Sequence, residues 1–246
     1  MLQGLYAAAA GMEAQQNQFN AVSNDLANLN TPGYQAGQVG FEDLLYSSAG
    51  PASSGTNVAT GTGAASSVIG RSQAQGALQD TGNPLDVAIE GPGFIQVRRS
   101  NGSIGLTRNG TLQTNAQGEL TDQLGNPLSP PIKLPAGATA ADLQIAPNGA
   151  VSARGVKLGQ IAIVNVPAPD RLQPDGSSLF SATAASGATR AVTGSTVQQG
   201  KLEASNVDVA QTMSTLVTAE RAYQMASEAL QYQNQMLTIA DQLKPQ

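Results

Sequence analysis

The stretch that decides the fold is Asn24-Asp-Leu-Ala-Asn-Leu-Asn-Thr-Pro-Gly-Tyr34. Its second half cannot continue a helix. Pro32 drives Thr31 out of the helical region, Gly33 supplies the positive φ a tight turn requires, and Asn28 and Asn30 are turn formers. Asn28, Asn30, Thr31, Pro32, Gly33 and Tyr34 are therefore read as the device that stops a helix and fixes how the chain enters its next segment. Taken alone, the same residues also describe an ordinary helix stop.

On the N-terminal side of this turn, Leu5, Met12, Phe19 and Leu26 recur every seven residues, with Ala8, Val22 and Leu29 at the companion positions and Gln15 as an interruption. The spacing predicts a helix over 2–29 with a narrow apolar seam of coiled-coil type. The pattern returns at the other end of the chain. Val209, Leu216, Tyr223, Leu230 and Leu237 repeat at the same interval, and Ala219, Ala226 and Ala240 fall between them, with Thr212 and Gln233 as polar exceptions. Asn206 or Asp208 can cap this second helix, and Pro245 comes after its end. At 1.5 Å per residue the two helices would be roughly 40 and roughly 50 Å long.

The texture between them is different. Residues 47–82 are rich in Ala, Gly, Ser and Thr and read as a flexible linker. Residues 83–197 are β-like: Leu85–Ile89, Phe94–Val97 and Gln160–Val166 are short β-branched runs. Asn-Gly pairs at 101–102, 109–110 and 148–149 are hairpin signals, and Asp175-Gly176 is a weaker one. The expected layout is a 1–46 helix and turn, a 47–82 linker, an 83–197 β domain and a 198–246 helix. The fold class is α+β, with the terminal helices forming a coiled-coil-like inner layer beside a central antiparallel all-β domain.

Charge narrows the function. The 246 residues carry a net charge of −5, and 12% are charged. Across 1–34 the only charged side chains are Glu13 and Asp25, while Gln15, Gln16, Asn17, Gln18, Asn20, Ser23 and Asn24 are the polar positions. A solvated helix normally shows Glu/Lys pairs four residues apart. An amide-rich face suits contact with other chains, where it hydrogen-bonds without the desolvation cost of a charge. A two-helix hairpin closed within one monomer is the competing reading. An acidic chain with no basic run is a poor nucleic-acid binder, and no run reaches the ~18 apolar residues of a membrane span. With no Cys and no His, Cys/His zinc sites, disulfides, cysteine nucleophiles and Ser-His-Asp catalysis are excluded. The first basic residue is Arg71, so the basic start of a secretory signal is missing and export without a cleaved signal is expected.

These residues resemble the flagellar rod and hook axial proteins. Asn24–Tyr34 is similar to that family's N-terminal box, and Phe41-Glu-Asp-Leu-Leu-Tyr46 to its continuation in distal-rod members. Thr81–Phe94 resembles the start of the family's β domain, Thr107-Arg-Asn-Gly-Thr-Leu112 its next hairpin, and Gly200–Asp208 with Glu220-Arg-Ala-Tyr-Gln-Met225 its C-terminal box. The resemblance covers about 1–46, 81–125 and 197–243, in the family's order. It implies a non-enzymatic structural subunit of the basal-body rod, of distal type or of the proximal paralogue that shares the architecture. It also implies no cofactor, polymerisation with itself, contacts with other rod, hook and ring proteins, and passage through the flagellar type III export apparatus. The expected assembly residues are Leu5, Met12, Phe19, Val22, Leu26, Val209, Leu216, Tyr223, Leu230 and Leu237. A stalked secreted adhesin is the reading from another class.

Other motifs carry less. Arg108, beside an Asn-Gly pair, either contacts a neighbour or decorates a hairpin. Glu220 and Arg221 read as a solvated face. Gly91-Pro-Gly93 lacks the remainder of a phosphate loop. Asp86, Glu90 and Asp122 are carboxylates that a glycosidase would need in pairs.

Overall fold

The computed structural model describes residues 2–44, 46–48, 59–61, 63–192 and 194–242. Two long helices, α1 (Leu2–Ala27) and α2 (Val209–Gln242), bracket a series of short strands, so the class is α+β. The chain divides into two compact units. Residues 1–26, 37–69 and 208–246 form a helical unit, and 27–36 with 70–207 form a β unit.

Among the described residues the helical unit holds α1, α2 and the strands β1 (Gly37–Asp43), β2 (Tyr46–Ser48), β3 (Ala59–Gly61) and β4 (Ala64–Arg71), whose last residues run into the β unit. β1 pairs with β4, and β2 with β3. Strands thus stand inside 47–82, the stretch read as a linker, while 49–58 and 62 lie outside the described residues. Small residues concealed the alternation at the start of β4, where Ala64 and Ser66 are half-buried and Ala65 and Ser67 exposed; the next two residues, Val68 and Ile69, are both exposed. β4 is bound to α1, since the Ser66 hydroxyl donates to the Ala14 carbonyl at 2.8 Å. Pro245, expected after α2, also lies outside the described residues.

The β unit contains β5 (Leu78–Asp80), β6 (Val87–Glu90), β7 (Phe94–Arg98), β8 (Ile104–Thr107), β9 (Gln113–Thr114), β10 (Leu120–Thr121), β11 (Leu143–Ile145), β12 (Ala150–Ala153), β13 (Val156–Gln160), β14 (Ile163–Asn165), β15 (Gln173–Gly176), β16 (Leu179–Ser181), β17 (Arg190–Ala191), β18 (Thr196–Gln199) and β19 (Lys201–Glu203). Its main sheet has six antiparallel strands in the order β15-β16-β8-β7-β14-β17. A three-stranded sheet, β11-β12-β13, accompanies the pairs β18-β6, β19-β5 and β10-β9.

Alternation along β7 serves two cores. Ile95 and Val97 join a large aliphatic cluster with Val87, Ile89, Leu120 and Ile132, whereas Phe94 joins Leu106, Val164, Val166, Leu172 and Phe180. Phe94 and Phe180 meet edge to face with centroids 5.9 Å apart, the arrangement their ring quadrupoles favour. Two of the four Phe residues therefore anchor one small core, and aliphatics fill the rest.

The hairpin signals divide. Asn101-Gly102 turns β7 into β8, and Asn148-Gly149 turns β11 into β12. Asn109-Gly110 makes no hairpin, because β8 pairs with β7 and β16 and not with β9. Gly110 is there for closeness: a Cβ would fall 1.6 Å from the Val87 carbonyl oxygen. At Asp175-Gly176 the turn residues are the next pair, Ser177 and Ser178, both left-handed at φ 51° and 57°.

Candidate functional site

The chain passes between the two units four times, at 26/27, 36/37, 69/70 and 207/208. On the β-unit side, local chemistry fixes each passage. In the turn after α1, the Asn28 carbonyl accepts the Thr31 N–H at 3.1 Å, and Asn28 Oδ1 accepts the Thr31 hydroxyl at 3.2 Å. Pro32 comes next, and Gly33 takes φ +66°. A Cβ on Gly33 would lie 2.4 Å from the Asn109 nitrogen, so only glycine lets this turn settle against the loop after β8. The Gly33 N–H donates to the Glu203 carbonyl at 2.8 Å, and the Tyr34 N–H to that of Thr31 at 3.2 Å. Asn30 is exposed; Thr31, Pro32 and Tyr34 are half-buried.

Arg71 receives the next passage. Its guanidinium donates to the Tyr34 hydroxyl at 3.0 Å and to the Gln35 carbonyl at 2.9 Å, and sits 5.3 Å from the Tyr34 ring centroid. The last passage is held by Asn206. Its Oδ1 accepts the Ala36 N–H at 2.7 Å, and its Nδ2 donates to the carbonyls of Ser72 at 3.0 Å and Ala74 at 2.8 Å.

Beneath the turn lies a buried ion pair. Arg108 and Glu203 are both about 3% exposed, and Arg108 Nη1 reaches the two carboxylate oxygens at 3.0 and 3.2 Å. The rest of the guanidinium is satisfied by the Gly93 carbonyl at 3.1 Å and the Gly91 carbonyl at 2.9 Å, over the Phe94 ring. Glu203 also accepts the Gly76 N–H at 3.0 Å. Arg108 is therefore neither a hairpin decoration nor a free contact residue. The Gly91 and Gly93 carbonyls, far from cradling a phosphate, point at a cation.

In the helical unit, both oxygens of buried Asp25 accept the Gly37 N–H, at 3.0 and 3.2 Å, which closes 26–36 into a loop. Asp208, and not Asn206, caps α2: its Oδ1 accepts the N–H groups of Ala210 at 2.9 Å and Gln211 at 3.1 Å. The helices run antiparallel. A Cβ at Gly4 would meet Gln233 Nε2 at 2.5 Å, while Gln15, Gln16 and Phe19 share a groove of about 340 Å³ with Leu216, Ala219 and Tyr223.

The expected seam residues are brought to that line to different depths. Val22 and Ala219 are buried; Leu5, Met12, Leu26, Val209, Leu216, Leu230 and Leu237 are half-buried; Phe19 and Tyr223 remain 36% and 40% exposed. The side chain of Ala240 lies outside the described residues. A second apolar stripe was missed by the sequence reading. Met213, Val217, Met225, Tyr232, Met236 and Ile239 are all exposed, and at 100° per residue they occupy an arc of about 140° on the side of α2 away from Leu216, Ala219 and Leu230.

The carboxylates considered for catalysis are engaged locally. Asp86 accepts from Asn83, Glu90 from Thr196 and Gln198, and Asp122 from Leu124 and Asn126. Among the described residues no group of three or more acidic side chains is placed to hold a metal ion, and no helix is long and apolar enough to cross a membrane.

Comparison with known proteins places these features in context. Residues 5–35 match the flagella basal body rod protein model, 88–153 the flagellar hook protein FlgE/F/G D1 domain, and 198–243 the flagellar basal body rod FlgEFG protein C-terminal model. The chain is 36% identical to the flagellar basal-body rod protein FlgG of Borreliella burgdorferi, over 100% of both chains. It is 36% identical to FlgG of Caulobacter vibrioides, over 99% of this chain and 100% of the relative. It is also 28% identical to the flagellar hook-basal body complex protein FlhP of Bacillus subtilis, over 99% and 100%.

Proposed function

The chain belongs to the family of flagellar basal-body rod proteins, and from that premise we propose how it builds a rod. It is a structural subunit of the flagellar rod, of the distal type, working at the flagellum with other basal-body components. The helical unit is the assembly core. Its antiparallel pair closes one side of each helix, and other copies of the chain close the other side.

The observation that carries this reading is the exposed stripe on α2. Large apolar side chains left facing outward on one helix are where other chains are expected to pack, and six stand on one arc of α2, with Arg221, Gln224 and Glu228 set among them. In this reading the helices form the inner layer of a tube. The flagellar type III export apparatus delivers the subunit to hook-side and ring partners.

The test is assembly of the purified full chain, monitored by sedimentation and electron microscopy as concentration rises. Tubular polymers above a critical concentration are expected. A chain that stays monomeric at millimolar concentration, with both helices fully protected from amide exchange, would sink the proposal.

A further inference from the structure

Asn206 stands where three passages of the chain meet, and its side chain is fully used. A carboxamide offers two N–H donors and an acceptor oxygen. Here the donors go to the Ser72 and Ala74 carbonyls and the oxygen takes the Ala36 N–H. Its own backbone N–H donates to the Tyr34 carbonyl at 3.3 Å. Residues 34–36, 72–74 and 206 are each within a few positions of a crossing between the units. One side chain therefore fixes the mutual spacing of three of the four stretches of chain by which the β unit is tied to the helical unit.

The fold of the β unit rests elsewhere. Its two apolar clusters and the Arg108–Glu203 pair include none of these residues. The bond from the Ser72 N–H to the Ala36 carbonyl, 2.8 Å, does not involve Asn206. We propose that Asn206 is a positioning residue for assembly: it sets the geometry in which the chain leaves the β unit for the assembly core, and through that the helical parameters of the polymer. This rests on the assembly reading above.

Asparagine is specified by its chemistry. An aspartate of the same size still accepts from Ala36 but presents a lone pair to the two carbonyls, whereas alanine removes all three bonds. The experiment compares full-length wild type, Asn206→Ala and Asn206→Asp. Thermal melting and amide exchange of the β unit are read in the monomer, and critical concentration and helical repeat in the polymer.

The expected result is β-unit melting and exchange like wild type, with the critical concentration raised tenfold or more or the helical repeat altered. For Asn206→Asp the ratio to wild type should fall as pH is lowered through the usual carboxyl range near 4, because the protonated acid regains one donor. Polymers with wild-type critical concentration and repeat in both variants would overturn the proposal. So would collapse of the β unit in both variants, which would make Asn206 a fold residue only. A wild-type chain that never polymerises defeats the assembly reading instead, so the two failures are distinguishable.

Discussion

The β unit and the helical unit solve the problem of burial in opposite ways. In the β unit, two clusters take in more than twenty apolar side chains, many with no exposure at all. Along the two helices, Ala14, Val22 and Ala219 are the buried apolar side chains among the described residues, and large ones such as Met225 and Tyr232 face outward. Most helical stability in proteins comes from packing an apolar face. A pair that buries three small side chains lacks that support within one chain. The β unit thus carries its own core, and the assembly proposed above is what would complete the helical pair.

The largest effect expected from this contrast is in amide exchange of the dilute monomer. Amides in β6, β7 and β8 should exchange only on global opening of the β unit, and those of α1 and α2 orders of magnitude faster. Polymerisation should protect the helices and leave the β strands unchanged. Equal protection in both units of the monomer would break the comparison. Next in size is the buried ion pair. Arg108→Met leaves Glu203 buried without its cation, and loss of one partner of such a pair costs about 3–5 kcal/mol. Chemical denaturation should show that loss in the β-unit transition. A change below about 1 kcal/mol, the range of exposed pairs, would mean that the pair is solvated and that the junction is looser than its distances indicate.

The two terminal helices and the antiparallel β domain between them were legible in the sequence because periodicity and Pro-Gly punctuation are local signals. The turn was legible too, since Thr31-Pro32-Gly33 can adopt few conformations. The features that stayed hidden depend on long-range contact. Glu203 and Asn206 sit in a short polar stretch whose local pattern is that of any strand end. Their meaning appears only when residues 33, 36, 72 and 108 arrive from far along the chain. Arg108 looked like a surface residue because a lone arginine beside Asn-Gly usually is one. The strand β4 hid in a run of Ala and Ser, where alternation of burial has no counterpart in alternation of hydropathy. The outer stripe on α2 escaped because Met, Val and Tyr there interleave with the seam and blur a single apolar face into two.

Smaller than the ion-pair effect is the cost at the turn. Gly33→Ala forces a left-handed backbone on a residue with a side chain, worth about 1–2 kcal/mol, and drives a Cβ against the Asn109 nitrogen, with overpacking of about 1–3 kcal/mol. The loss should appear in the β-unit melt, because the turn belongs to that unit. Tyr232→Glu makes the complementary test on the helical side. An exposed site should move monomer stability by no more than about 0.5 kcal/mol in either direction, yet the charge on the outer stripe should raise the critical concentration for assembly. Polymerisation unaffected by Tyr232→Glu would remove that stripe from the interface.

The smallest effect separates the two units by pH. Asp175 accepts from the Ser181 hydroxyl and lies 2.7 Å from Arg99, and these contacts, the hydroxyl first, hold its carboxyl below the usual range. A carboxyl depressed in the folded state stabilises it above the unfolded value near 3.9, and that contribution is lost as pH falls through the lower folded value. Asp175 joins β15 to β16 in the β unit, so the loss belongs to the β-unit melt below about pH 4. Both side chains of the ion pair are partly exposed, at 18% and 27%, which confines the effect to the modest range of surface pairs, under about 1 kcal/mol. Asp175→Asn should flatten that acid limb slightly and leave the neutral-pH melt and the assembly behaviour nearly unchanged. An equal shift of the melt at every pH would show that Asp175 acts through packing of the hairpin and not through its charge.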